Sequence, residues 1–215
     1  RGPTVFRFSA TQRLAERRTM TRRVGLLGGT FDPPHDAHVS LAQCALDSLA
    51  LDELRVLPTG QPWHRAQTSS PAQHRVAMSQ LAFRQLPKVW VDDRETRRPG
   101  PTYTIDTVRE LQTEEPQVQW FLIVGADQAR RIETWHDWQS LLCLIHLVVA
   151  DRDPELGQWH NKALERSLAL PFNPIPISST QIRNDLVHGR EVSGLDPEVK
   201  NYIRTHQLYT HHSDE

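Results

Sequence analysis

The chain has 215 residues, 38% of them hydrophobic, and a formal net charge of −1. That length suits one α/β domain with a sizeable core, and the near-neutral charge argues against a general nucleic-acid binder or a protein held on an anionic membrane. The longest apolar run, residues 141–150, is interrupted by His146 and is too short to span a bilayer.

Residues 1–23 carry seven arginines without clear periodicity and read as a basic N-terminal extension, peripheral to the fold. A basic tail or a transit-like segment fits it. A translation start placed too early fits better, since Met20 lies just before the first strand. The domain proper then runs over 24–215. Val24 to Leu27 is a short apolar strand that breaks into Gly28-Gly29-Thr30-Phe31, a turn at Asp32-Pro33-Pro34, and His35 and His38. Val39, Ala42, Leu46 and Leu49 follow at helical spacing.

Leu54 to Pro58 reads as the second strand and residues 59–65 as a loop of turn formers. Ser70-Pro71 opens a helix, with Ser70 as its N-cap. Lys88 to Val91 is a short strand, and the charged stretch Asp92 to Arg98 a solvated loop. A helix runs through Ile105, Val108 and Leu111. Trp120 to Val124 is a continuously apolar strand of the kind buried in parallel sheets. Gly125-Ala126-Asp127 ends it, and Thr134 to Trp138 begins another helix, Trp138 being its core residue. His146 to Ala150 is a strand, 153–173 is partly helical, and Ile175 to Ile177 is the last strand. Ser178 starts a helix that ends at Gly189, and Pro197 to His206 forms the last one.

The alternation of strands and helices predicts an α/β fold, a doubly wound parallel sheet in a single domain. Ligands bind such sheets beyond the carboxyl ends of the strands. Residues 28–38, 59–65, 125–127 and 178–183 all fall there. The two cysteines, Cys44 and Cys143, read as small buried hydrophobes in a reducing cytoplasm. The eleven histidines show no HExxH or Cys/His metal spacing.

The chemistry of 28–38 is that of a triphosphate cradle. Glycines let backbone amides approach a polyanion, a helix N-terminus adds partial positive charge, and two histidines on one face donate to phosphate oxygens. An ordinary strand–turn–helix with two incidental histidines is the plainer alternative. Residues 177–183, ISSTQIR, place hydroxyls at a helix N-terminus and Arg183 one turn in, an arrangement that binds a phosphate or simply caps a helix.

GGTFDPPHDAH resembles the first signature of the nucleotidylyltransferase superfamily, with Ala37 where that family usually has glycine. ISSTQIR is similar to its second signature. PTYTIDTV, FLIVGADQ, TWHDW and VKNYIRTHQLY extend the likeness over nearly all of 24–209, and it is to the bacterial nicotinate mononucleotide adenylyltransferases. LPTGQPWHR is similar to that family's P-x-x-x-P-P-H-K/R loop, with Trp63 in place of the second proline. The resemblance implies a Rossmann-like nucleotidylyltransferase fold and transfer of the adenylyl group of ATP to nicotinate mononucleotide in NAD biosynthesis. It implies His35, His38 and Arg183 as catalytic residues. ATP would be held by Gly28, Gly29, Thr30, Phe31, Asp127, Ser178, Ser179 and Thr180. Nicotinate mononucleotide would meet Thr59, Arg65, Thr104, Ile105, Trp135 and His136. The expected partners are these two substrates, with Mg²⁺ arriving on ATP and no dedicated protein metal site. A nicotinamide- or phosphopantetheine-using relative, a non-catalytic nucleotide sensor and an RNA-binding synthetase fragment are the competing readings.

Overall fold

The computed structural model describes residues 21–60, 70–151 and 162–210. The peripheral extension expected for 1–23 lies mostly outside them, as does Arg65. The first strand, β1, begins at Arg22 and runs to Gly29. The other strands are β2 (Glu53–Pro58), β3 (Val89–Val91), β4 (Val118–Gly125), β5 (His146–Asp151) and β6 (Leu168–Pro171). They form one parallel sheet in the order β3-β2-β1-β4-β5-β6. The order reverses between β1 and β4, whose carboxyl ends are level, Leu27 pairing with Ile123. That is the switch point at which a doubly wound sheet opens a crevice.

The helices are α1 (Asp36–Ser48), α2 (Ala72–Phe83), α3 (Arg94–Arg97), α4 (Thr104–Glu114), α5 (Ala126–Ala129), α6 (Trp138–Leu144), α7 (Ser179–Val187) and α8 (Pro197–Thr205). Period-two alternation in the strands sorts the core into two layers. Leu27, Leu54, Val56, Phe121, Ile123, Val148 and Ala150 face α1, α2, α7 and α8. Val24, Leu26, Trp120, Leu122, Val124, Leu147 and Val149 face α4 and α6. Each fully buried aliphatic or aromatic side chain contributes about 1.5–3 kcal/mol relative to exposure, so both faces of the sheet are firmly covered. Among the described residues no helix is long and apolar enough to cross a membrane.

Five local expectations are corrected. Ser70 is not a helix cap; Pro71 is the N-cap of α2, and Ser70 instead donates its amide to Asp32 Oδ2 at 3.1 Å. Residues 92–98 are not a solvated loop: they contain α3, with Glu95 only 6% exposed, because Arg94 and Arg98 turn toward Asp92, Glu110 and Glu114 and leave Glu95 facing inward. Helix α6 starts at Trp138 rather than Thr134, since Asp137 adopts a left-handed φ of 47° that interrupts the spiral. Trp138 is accordingly half-buried at the rim of the core, as is Trp135. The last strand is Leu168–Pro171 and not 175–177, where Pro174 and Pro176 supply no amide for a ladder. Cys143 is exposed and Cys44 half-buried, so neither is the fully buried hydrophobe expected.

Candidate active site

The loop after β1 is set by its own packing. Phe31 turns through a φ of 50° and drops its ring into the core, 2% exposed, edge-on to His38 at 5.0 Å and Phe83 at 6.0 Å. A Cβ on Gly29 would come within 3.0 Å of that ring. Glycine there is therefore a packing requirement, whereas Gly28 faces open space. The Phe31 side chain is a core anchor, which leaves only its backbone for a ligand.

His35 is the N-cap of α1, and His38 is the third residue of the helix. Their rings stack with centroids 3.8 Å apart. His35 N–H donates to His38 Nδ1 at 3.2 Å, so a neutral His38 carries its proton on Nε2, free to donate elsewhere. His35 Nδ1 is buried without a partner. Burial lowers the His35 pKa from 6.5 to about 4. Burial, then the charge of His35, lowers that of His38 to about 3. Both rings are neutral at pH 7, poised as donors rather than as fixed cations. Ala37 occupies the first turn of α1, half-buried, and leaves both rings in place.

These shifts have a consequence for stability. The unfolded chain takes up protons on both histidines near pH 6.5 while the folded chain does not, so acid favours unfolding. Stability of the ligand-free protein is expected to fall from pH 6.5 downward to about 3, with none of this effect above 6.5. NMR titration of the ring protons checks it: both signals stay in the neutral position at pH 5. A ring titrating at the ordinary value would refute the burial account.

Helix α7 closes on this loop from 146 residues away in sequence, Ser179 Oγ donating to the Pro33 carbonyl at 2.8 Å. Arg183 Nη1 donates to the Asp32 carbonyl at 2.7 Å. Ser178 caps the helix, its Oγ accepting from Gln181 N–H at 3.2 Å. Thr180 is exposed at the same end. The two stretches singled out in the sequence are thus one structure.

Sequence reading missed the groups that hold it. Arg75, 2% exposed, donates to the carbonyls of Thr30 at 2.9 Å, Ser70 at 3.0 Å and Gly60 at 3.2 Å. The Asp32 carboxylate accepts from Tyr209 O–H at 2.6 Å, and burial with that carboxylate holds the phenol far above its ordinary pKa. Tyr209 closes the VKNYIRTHQLY stretch, but no spacing rule ties it to Asp32; Arg75 lies in no recognisable motif, and only the rarity of a buried arginine in a helix face signals it.

Thr59 N–H donates to the Gly29 carbonyl at 2.9 Å, and its buried Oγ1 has no partner. Asp127 stands at the carboxyl end of β4, exposed, paired with Arg130 at 2.8 Å. The remaining expected residues gather at the start of α4 and the loop before α6. Tyr103 and His136 rings lie 4.3 Å apart, and Arg109 on α4 bonds Asp137 at 2.7 Å. Trp135 is half-buried beside them, packed with Tyr103 against the core. Thr104 and Ile105 are the first two residues of α4, so their amides have no acceptor within the helix.

A cytidylyltransferase-like family model matches residues 26–185. A protein of Albidiferax ferrireducens named "Probable nicotinate-nucleotide adenylyltransferase" is 45% identical over 196 residues, covering 87% of this chain and 98% of its own. A protein of the same name from Chromobacterium violaceum is 41% identical over 214 residues, covering 88% and 100%. Among solved structures, the Plasmodium falciparum nicotinic acid mononucleotide adenylyltransferase complexed with NaAD shares the fold with a TM-score of 0.67 at 20% identity, over 87% of this chain and 97% of that one. A family model over most of the chain and relatives of this closeness agree, and the chain belongs to the cytidylyltransferase-like family, among its nicotinate-nucleotide adenylyltransferases.

Proposed function

We propose that this chain transfers the adenylyl group of ATP to nicotinate mononucleotide, giving deamido-NAD and pyrophosphate, with the residues of the crevice in the roles that follow. The observation that carries the reading is the docking of α7 on the histidine loop through Ser179–Pro33 and Arg183–Asp32. It sets two helix N-termini and an arginine around one space, which suits a polyanion.

A phosphate oxygen of nicotinate mononucleotide attacks the α-phosphorus of ATP. A new P–O bond forms, the bond from the α-phosphorus to the bridging oxygen breaks, and its electron pair leaves on pyrophosphate. The nucleophile is already ionised, so no base is required, and rate enhancement comes from alignment and charge stabilisation. His35 and His38 donate to the triphosphate as charge develops. The amides of Gly28, Gly29, Thr30 and Phe31 line the β1 side. Arg183 and the N-terminal groups of α7, Ser178, Ser179 and Thr180, receive the leaving pyrophosphate. Because the Ser179 hydroxyl donates to Pro33, its amide is the donor left for phosphate. Asp127 meets the ribose side.

On the acceptor side, Trp135 stacks on the pyridine ring. The amides of Ile105 and His136, with Thr104 alongside, receive the ring carboxylate, and Thr59 faces the mononucleotide. A neutral carboxamide forfeits the charge-assisted bonds, which favours nicotinate over nicotinamide. Mg²⁺ arriving on ATP would be held by phosphate oxygens and water and would offset charge on the triphosphate.

Pyrophosphate release from Mg-ATP tests the reading, with nicotinate mononucleotide, nicotinamide mononucleotide and phosphopantetheine run in parallel. Strong preference for the first supports it. Equal use of both pyridine nucleotides removes the carboxylate argument, and ATP binding without turnover supports a sensor. Arg183→Ala is expected to lower kcat about 10²-fold. It is also expected to raise the KM for pyrophosphate in the reverse reaction. Arg183→Lys restores only part, lacking the planar fork. An alanine variant within about threefold of the parent removes Arg183 from the leaving-group role.

A further inference from the structure

Glu95 is a buried carboxylate that the proposed chemistry does not use. It sits on α3 at 6% exposure, behind the start of α4. Arg98 Nη1 donates to Thr107 Oγ1 at 2.7 Å. The Thr107 hydroxyl, fully buried, must then send its own proton to Glu95 Oε1, 2.8 Å away. The direction of this relay makes Glu95 the terminal acceptor, which suits a carboxylate. Burial pushes the Glu95 pKa up, and the Thr107 hydroxyl and Arg98 pull it back. Arg98 is held in turn by Glu110 on α4.

The backbone of the same residue reaches the other way. Thr102 Oγ1 donates to the Glu95 carbonyl at 3.4 Å. A Cβ on Gly60 would stand 2.3 Å from that carbonyl oxygen and 2.7 Å from Thr102 Oγ1. The contact closes without adjustment only for glycine. Glu95 therefore joins three pieces: the backbone after β2, the approach to α4, and the fourth residue of α4 itself.

We propose that Glu95 is a positioning residue for the pyridine acceptor, fixing through Thr107 the first turn of α4 so that the Thr104 and Ile105 amides meet a ring carboxylate. This rests on the acceptor assignment made above. The side-chain relay ends on α4; substitutions in it leave the backbone contact between Glu95 and Gly60, and through it the donor loop, in place, so their effect falls on one substrate. A shift of about 1 Å in a positioning element is enough to cost a large factor.

The test is steady-state kinetics of the full chain bearing Thr107→Val, Thr107→Ser or Glu95→Met, with melting temperatures recorded. Val keeps the shape of Thr107 and removes the relay. The KM for nicotinate mononucleotide is expected to rise roughly tenfold in Thr107→Val. The KM for ATP should stay within about twofold, and the preference over nicotinamide mononucleotide should narrow. Ser, keeping the hydroxyl, restores the parent values. Glu95→Met, which fills the space but offers the Thr107 hydroxyl no oxygen acceptor, carries the same reading if Val at 107 prevents folding. An acceptor KM within about twofold of the parent in folded Glu95→Met overturns the proposal, as does an equal rise in both KM values, the signature of a merely structural role. Failure of the acceptor assignment is visible separately, as absence of nicotinate mononucleotide turnover by the unsubstituted enzyme.

Discussion

Replacing His38 with alanine is expected to lower kcat by roughly 10²–10³-fold, the usual cost of removing one donor aimed at developing charge. The fold should survive. The ring is half-buried, and its two visible obligations are the His35 N–H at 3.2 Å and the edge contact with Phe31 at 5.0 Å. Water can serve the first, and the Phe31 ring remains held by Phe83. The chemical loss is expected to be larger because, in the proposed assignment, the neutral ring donates its Nε2 proton to the triphosphate. His38→Asn separates the two contributions. Its carbonyl can accept from His35 N–H, but its amide does not reach as far as Nε2, so stability should recover while kcat stays low. Rapid-quench measurement of a single turnover, alongside chemical denaturation, distinguishes them. A His38→Ala enzyme within about threefold of the parent in kcat would remove this histidine from the chemistry.

How much of this was legible in the sequence depends on whether the information was local. The strands β1, β4 and β5 announce themselves as apolar runs, and the glycine-rich turn with two histidines sits where a parallel sheet binds ligands. These follow from period, turn chemistry and topology. The misreadings occur where a distant contact overrides a local signal. Ser70 looks like a helix cap until its amide is seen to serve Asp32. The charged run at 92–98 looks solvated until its arginines are seen to pair with α4. The side chains of Phe31 and Ser179 hold the loop in shape, which leaves their backbone amides for the proposed ATP contacts. Arg75, and the role of Tyr209 within VKNYIRTHQLY, could not be read because their partners are backbone carbonyls and an aspartate 177 residues away, which no spacing rule encodes.

Arg75→Met is expected to be the most destabilising single change near the site, by about 3–5 kcal/mol. The reason lies in where its guanidinium ends. Its three bonds go to main-chain carbonyls of Thr30, Gly60 and Ser70, and its charge faces Asp32. Burial lowers its pKa, and the Asp32 carboxylate and Tyr209 offset part of that. Methionine fills much of the volume but leaves three acceptors without a donor, each costing roughly 1–3 kcal/mol where water cannot enter. It also leaves the Asp32 carboxylate without its nearest buried cation. Lysine keeps the charge but cannot reach three carbonyls from one ammonium, so Arg75→Lys should recover only a minority of the loss. Because Thr30 belongs to the loop proposed to hold the triphosphate and Gly60 to the backbone that Glu95 supports, binding of both substrates should weaken in the methionine variant. That separates it from Thr107→Val, which should affect the acceptor alone. Urea denaturation of the two variants against the parent decides the matter. A loss under about 1 kcal/mol for Arg75→Met would mean that water reaches those carbonyls, and that the phosphate loop holds its shape through Phe31, Ser179 and Tyr209 without the buried arginine.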